Sequence, residues 1–187
     1  MKKGFIIILS TLIALCIGVG ATLAYLVAES ETIVNTFVYG DINITLEETT
    51  GNSYKMIPGN KIAKDPKVKV EAGSEDCWLF VELTKSANYG TYLAEYAVSE
   101  GWTKLQEGVY YREAKAGDSF YVLANGGEGY ENGYVKVNES VTKEQMEAIK
   151  SSGMPTLTVK AYAVQKANVA TASDAWALVA TKGVPTT

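Results

Sequence analysis

Asp41-Ile42-Asn43-Ile44-Thr45-Leu46-Glu47 is the stretch that decides the fold class. In an extended chain Ile42, Ile44 and Leu46 point one way and Asn43, Thr45 and Glu47 the other, the period-two signature of a half-buried strand. Lys67-Val68-Lys69-Val70-Glu71 repeats the pattern behind Pro66 and stops at Gly73-Ser74. Further strands are expected over 78–84, 109–112, 119–123, 134–138 and 156–165. Between them stand turn residues: Pro58-Gly59-Asn60, Gly117-Asp118, Gly126-Gly127-Glu128-Gly129 and Asn132-Gly133. Asn132-Gly133 is the strongest two-residue hairpin signal.

Short helices are expected in the connections. Thr142-Lys143-Glu144-Gln145 has the spacing of a capping box, Val141 and Met146 that of a hydrophobic staple, and Met146 and Ile149 share one face. Thr171-Ala172-Ser173-Asp174 opens a second helix, with Trp176, Val179 and Ala180 spaced to pack on a sheet and Gly183 and Pro185 to close it. A third helix is expected over 92–99. The expected class is mainly β: a two-sheet antiparallel β-sandwich over 41–187, jelly-roll-like by analogy, with two or three short helices and an apolar signal helix in front.

The chain has 187 residues, 47% of them apolar, with 17 basic and 21 acidic residues for a formal charge of −4, two cysteines and no histidine. Without histidine there is no Ser-His-Asp triad, no Cys-His dyad and no HExxH zinc site. Without a basic cluster, a nucleic-acid partner is not expected.

These averages combine two unlike parts. Lys2 and Lys3 are followed by a run without charge over residues 4–28, the pattern of an export signal with a basic start, an apolar centre from Phe5 to Ile17 and the small-residue stretch Gly18-Val19-Gly20-Ala21-Thr22-Leu23-Ala24. Residues 1–24 are therefore expected to be a signal peptide cut in the region Thr22, Leu23, Ala24 and Tyr25. An uncleaved membrane anchor is the main rival. Cys16 follows Leu15 rather than a small residue, against a lipoprotein signal. Met1-Lys2-Lys3-Gly4-Phe5 resembles a type IV prepilin leader, but that family's glutamate would fall at Leu9. A cut after Ala24 leaves 15 basic and 21 acidic residues, a charge of −6, and Cys77 as the remaining cysteine. Cys77 shares a strand face with Leu79, Val81 and Leu83, the setting of a buried thiol rather than of a disulfide.

Several stretches together carry a family resemblance. Residues 18–26, then Asn35-Thr36-Phe37-Val38-Tyr39-Gly40 and Ile42-Asn43-Ile44-Thr45-Leu46, resemble the start of TasA and camelysin family proteins, whose leaders are cut by the SipW-type peptidase. Ile57-Pro58-Gly59, Lys64-Asp65-Pro66, Gly73-Ser74-Glu75-Asp76 and the closing Leu157-Thr158-Val159-Lys160-Ala161-Tyr162-Ala163-Val164-Gln165 are similar to the family's interior and end. The resemblance implies a secreted jelly-roll subunit, in a Gram-positive bacterium, that assembles into extracellular fibres of a biofilm matrix by donating an N-terminal strand to the next copy or to a related subunit. Within 25–40 the candidate donor residues are Ile33, Val34, Thr36, Phe37, Val38 and Tyr39, rich in β-branched and aromatic types. Pairing of this segment within its own domain is the plain alternative.

Camelysin relatives are classed as metallopeptidases, but this chain lacks the histidines a zinc site needs. The expectation is no enzyme, no catalytic residue, no cofactor and no metal; Glu75 and Asp76, or Glu128 and Glu131, read as solvated loop acids, with a carboxylate-only site favouring calcium over zinc as the alternative. The rival binding class is a surface adhesin, in which Tyr89, Tyr92, Tyr96, Tyr130 and Tyr134 would stack on a ligand. Lys182-Gly183-Val184-Pro185-Thr186-Thr187 does not have the form of a wall-sorting signal.

Overall fold

The computed structural model describes residues 41–51 and 54–181. Their elements run β1 (Ile44–Glu47), β2 (Lys61–Ala63), β3 (Lys67–Val70), β4 (Cys77–Lys85), α1 (Tyr89–Tyr92), β5 (Thr103–Gln106), β6 (Val109–Ala114), β7 (Ser119–Tyr121), β8 (Tyr134–Lys136), α2 (Lys143–Ser152), β9 (Leu157–Gln165) and α3 (Ala172–Thr181). Among the described residues the protein is mainly β, all strand pairs are antiparallel, and three short helices lie in or after the connections.

The two alternating stretches pair with each other: Ile44 stands opposite Val70 and Leu46 opposite Val68. Hydrogen bonding divides the strands into three sheets rather than two, in the orders β1-β3-β7, β2-β8 and β5-β6-β4-β9. The division falls at Pro66, which has no N–H to give to a ladder. Across it, the Lys64 N–H donates to the Gly133 carbonyl (3.1 Å) and the Val122 N–H to that of Pro66 (2.9 Å), so β8 and β7 succeed one another along the interrupted β2–β3 line.

The first core lies between these two smaller sheets and one face of the four-stranded sheet. Val68, Val70, Val122, Leu123, Val135 and Val137 on one side meet Cys77, Leu79, Val81 and Leu83 of β4 on the other. The second core is the opposite face of the four-stranded sheet under α3, built from Trp78, Phe80 and Val109 against Ala172 and Ala175. Trp176 packs on Phe80 and Tyr162 at ring-centroid distances of 5.3 and 5.5 Å. A ten-residue helix is marginal alone, so this contact and the Thr171 hydroxyl, which accepts from the Asp174 N–H (3.1 Å), hold it. At α2 the expected capping box is present between Thr142 and Gln145, and Val141 and Ile149 are buried.

Two further expectations need correction. The helix placed over 92–99 lies instead at Tyr89–Tyr92, because the following residues join the sheet layer: the Ala94 N–H donates to the Lys136 carbonyl (2.8 Å) and the Ser99 N–H to that of Val122 (2.9 Å). Asn132-Gly133 does not close a hairpin, since β7 pairs with β3 and β8 with β2. Gly133 serves close approach there: a Cβ would meet the Lys64 carbonyl and come within 2.8 Å of the Leu123 Cβ. The two-residue hairpin is Glu107-Gly108 between β5 and β6, and β5 and β2 are strands beyond those expected. Gly108 has φ +73° and would place a Cβ 2.8 Å from the Leu83 carbonyl oxygen.

Candidate functional site

Strand β9 is nine residues long and is the outer strand of its sheet. Its backbone polarity follows from two bonds at the ends of the β4–β9 ladder: the Ser86 N–H donates to the Thr156 carbonyl (3.0 Å) and the Lys166 N–H to that of Asp76 (2.9 Å). Bonded pairs alternate along an antiparallel ladder. The even residues of β9 therefore bond to β4, and the N–H and C=O groups of Leu157, Val159, Ala161, Ala163 and Gln165 point away from it. Among the described residues no strand pairs with that outer edge.

The side chains report the same incompleteness. Leu79 and Val81 of β4 are fully buried in the first core, whereas Leu157, Val159, Ala161 and Ala163, which face the same core from β9, are half-buried. A groove runs the length of β9. At one end a cavity of about 410 Å³ is lined by Met56, Leu93, Met154 and Leu157. Its middle passes Leu46, Leu157 and Val159, then Ile44 and Ala161. At the far end a cavity of about 530 Å³ lies among Ile44, Ala163, Val169, Leu178 and Val179. Of the four large apolar side chains that are exposed among the described residues, Leu46, Met154 and Leu178 line this groove. At about 3.3 Å per residue, β9 offers an edge roughly 30 Å long.

One wall of the groove is tied down by charge. Asp65, the one buried charged residue among those described, accepts from the N–H groups of Thr49 (2.9 Å) and Thr50 (3.0 Å) and from the Thr49 hydroxyl. Burial alone would raise the Asp65 carboxyl, but these bonds outweigh it and hold it below the usual carboxylate range. Next to it Lys64 reaches Glu48 (2.6 Å) and the Tyr54 hydroxyl (3.1 Å). Burial opposes the Lys64 charge, yet both partners favour it and its pKa is raised. Lys64 and Asp65 together fix the Glu48–Thr50 segment that follows β1.

An unpaired edge flanked by apolar cavities can bind an extended chain, through main-chain hydrogen bonds for affinity and alternate side chains for selectivity. The expected cleavage residues Thr22, Leu23, Ala24 and Tyr25 and the expected donor residues Ile33, Val34, Thr36, Phe37, Val38 and Tyr39 lie outside the described residues, as does the apolar run 4–28. Among the described residues no helix is long and apolar enough to cross a membrane.

The five tyrosines do not share one surface. Tyr89 and Tyr92 are buried in the first core, and the Tyr92 hydroxyl donates to the Gln145 carbonyl (3.1 Å). Tyr96 is half-buried against the same core. Tyr130 and Tyr134 stand edge to face at 6.3 Å with the Lys61 ammonium over both rings. The Glu131 carboxylate accepts from the Gly129 N–H (2.9 Å), and no group of three or more possible metal-ligating side chains stands together among the described residues. Cys77 is fully buried, and burial pushes its thiol up to about 11, so it is a core side chain and a poor nucleophile. No protein-family model, no curated protein and no solved structure matches this chain.

Proposed function

We propose that this protein is a secreted structural subunit of bacterial extracellular fibres, of the TasA-like kind, and that the outer edge of β9 accepts a strand donated by another copy. The supporting observation is the half-buried inner face of β9 beside an unpaired nine-residue edge. A sandwich with an apolar seam left open on one side gains stability from any strand that closes it, at about 25 cal/mol for each Å² of apolar surface covered. In this reading the topology is jelly-roll, the leader 1–24 is removed near Ala24 or Tyr25 during export, and the donor is the segment containing Ile33, Val34, Thr36, Phe37, Val38 and Tyr39. The protein then works outside the cell or at its surface, with copies of itself or related matrix subunits as partners, a signal peptidase as a transient partner, and no catalytic step.

The test removes the donor. Deletion of residues 29–39 from the exported chain is expected to leave a folded monomer that forms no fibres by negative-stain microscopy. Fibres of normal appearance from the deleted chain would overturn strand donation.

A further inference from the structure

Helix α3 carries a feature its own domain does not use. Ala172 and Ala175 are buried against the four-stranded sheet, but Leu178, one turn on, is 43% exposed and faces the groove beside Val179. At this end of β9 the groove therefore has two apolar walls, Ile44 toward the first core and Leu178 with Val179 toward the helix. A strand lying along the outer edge of β9 presents successive side chains to opposite faces, so here it meets both walls in turn. Strands that alternate, such as β1 with Thr45 and Glu47 or β3 with Lys67 and Lys69, would press a polar side chain against one of them. The runs Ile33-Val34 and Phe37-Val38-Tyr39 are each apolar on both faces, with the polar pair Asn35-Thr36 between them, so it is the Phe37–Tyr39 run that suits the two walls.

We infer that α3 is part of the acceptor, with Leu178 clamping the outward face of the incoming strand, and that the strand selected is residues 33–39 of a second copy. This rests on the strand-acceptor reading of β9 and adds to it a helix wall and a side-chain rule. The segment ends at Tyr39, and only Gly40 separates it from the described domain, so the donor's own domain begins within about 7 Å of the strand's last residue. Donor and acceptor use different surfaces of the same chain. Such a contact is head-to-tail and repeats without closing when the rotation does not return on itself, which gives a filament.

Neighbouring donor positions provide the test. In the full chain carrying Cys16→Ser, Phe37→Cys or Val38→Cys is placed in one copy and Leu178→Cys or Ile44→Cys in another, and the copies are mixed during assembly. Buried Cys77 does not compete. The expected result on non-reducing gels is that each donor cysteine links to one wall, that the two choose opposite walls, and that every link joins two chains. Fibres in which neither donor position links to Leu178→Cys, or in which both choose one wall, would overturn the clamp. Links within single chains would overturn the second copy as occupant. Absence of both fibres and links would instead overturn the strand-acceptor reading. As a second measurement, Leu178→Asp, at an exposed position, is expected to keep the wild-type melting curve and to slow assembly roughly tenfold; assembly at the wild-type rate would also overturn the clamp.

Discussion

The two outer strands of the four-stranded sheet differ in every property that governs what an edge can do. Strand β5 has four residues, carries Lys104 paired to Glu107 at 2.7 Å, and is closed at one end by the tight Glu107-Gly108 turn. Strand β9 has nine residues with Lys160 as its single charge, and its inner face opens into an apolar groove. Short, charged edges are how soluble β proteins prevent strand addition, and long apolar ones invite it. The same sheet thus has a short, charged edge on one side and a long, apolar one on the other. An assembly built from such a unit can grow along one defined edge.

Proline distinguishes the two edges most strongly. The N–H of Ala161 points away from β4, and by the same alternation, counted from the Leu83 N–H bond to the Gly108 carbonyl (2.8 Å), that of Lys104 points away from β6. Ala161→Pro and Lys104→Pro therefore each remove an outward donor without breaking a ladder bond. Ala161→Pro is expected to yield a folded monomer that does not assemble, and Lys104→Pro to assemble as wild type. Equal effects in a light-scattering assay would remove the distinction between the edges.

A smaller effect is expected at the wall beside β9. Asp65→Asn exchanges charge-assisted bonds for weaker ones and is expected to cost about 2 kcal/mol at neutral pH. Because the folded-state pKa of Asp65 is depressed, its contribution is complete above the ordinary carboxyl value near 3.8 and fades as pH falls through the folded value. Melting curves of wild type and Asp65→Asn should differ at pH 7 and begin to draw together only below about pH 4. A constant difference over that range would show that the carboxylate does not hold the wall. Smaller again, Gly108→Ala should destabilise by about 1–2 kcal/mol through its positive φ and the nearby Leu83 carbonyl, loosening the β5 edge while leaving strand acceptance at β9 intact.

Which of these features could be read from residues alone follows their physical range. Ile42 to Glu47, Lys67 to Glu71 and Leu157 to Gln165 announce strands because alternation is local, and the Thr142–Gln145 capping box announces a helix start for the same reason. Thr103-Lys104-Leu105-Gln106 has little β-branched content and becomes a strand through pairing with Tyr110 and Tyr111, which is a tertiary cause. Asn132-Gly133 misleads because a glycine needed for close packing looks the same in sequence as one needed for a hairpin turn. Tyr89 and Tyr92 sit in a loop-like composition and are buried by segments far along the chain, including α2. The open outer edge of β9 has no local signature at all. Residues 156–165 read as a strand, but whether a strand is central or outer depends on partners no local pattern encodes.

Residue-resolved hydrogen exchange tests the central claim most directly, because it reads the edge itself. In the monomer, the amides of Leu157, Val159, Ala161, Ala163 and Gln165 should exchange quickly while those of Thr158, Lys160, Tyr162 and Val164, bonded to β4, are protected. On assembly the odd-numbered set should gain protection and the even-numbered set should change little. If the odd-numbered amides still exchange freely in mature fibres, the outer edge of β9 is not where the subunits join.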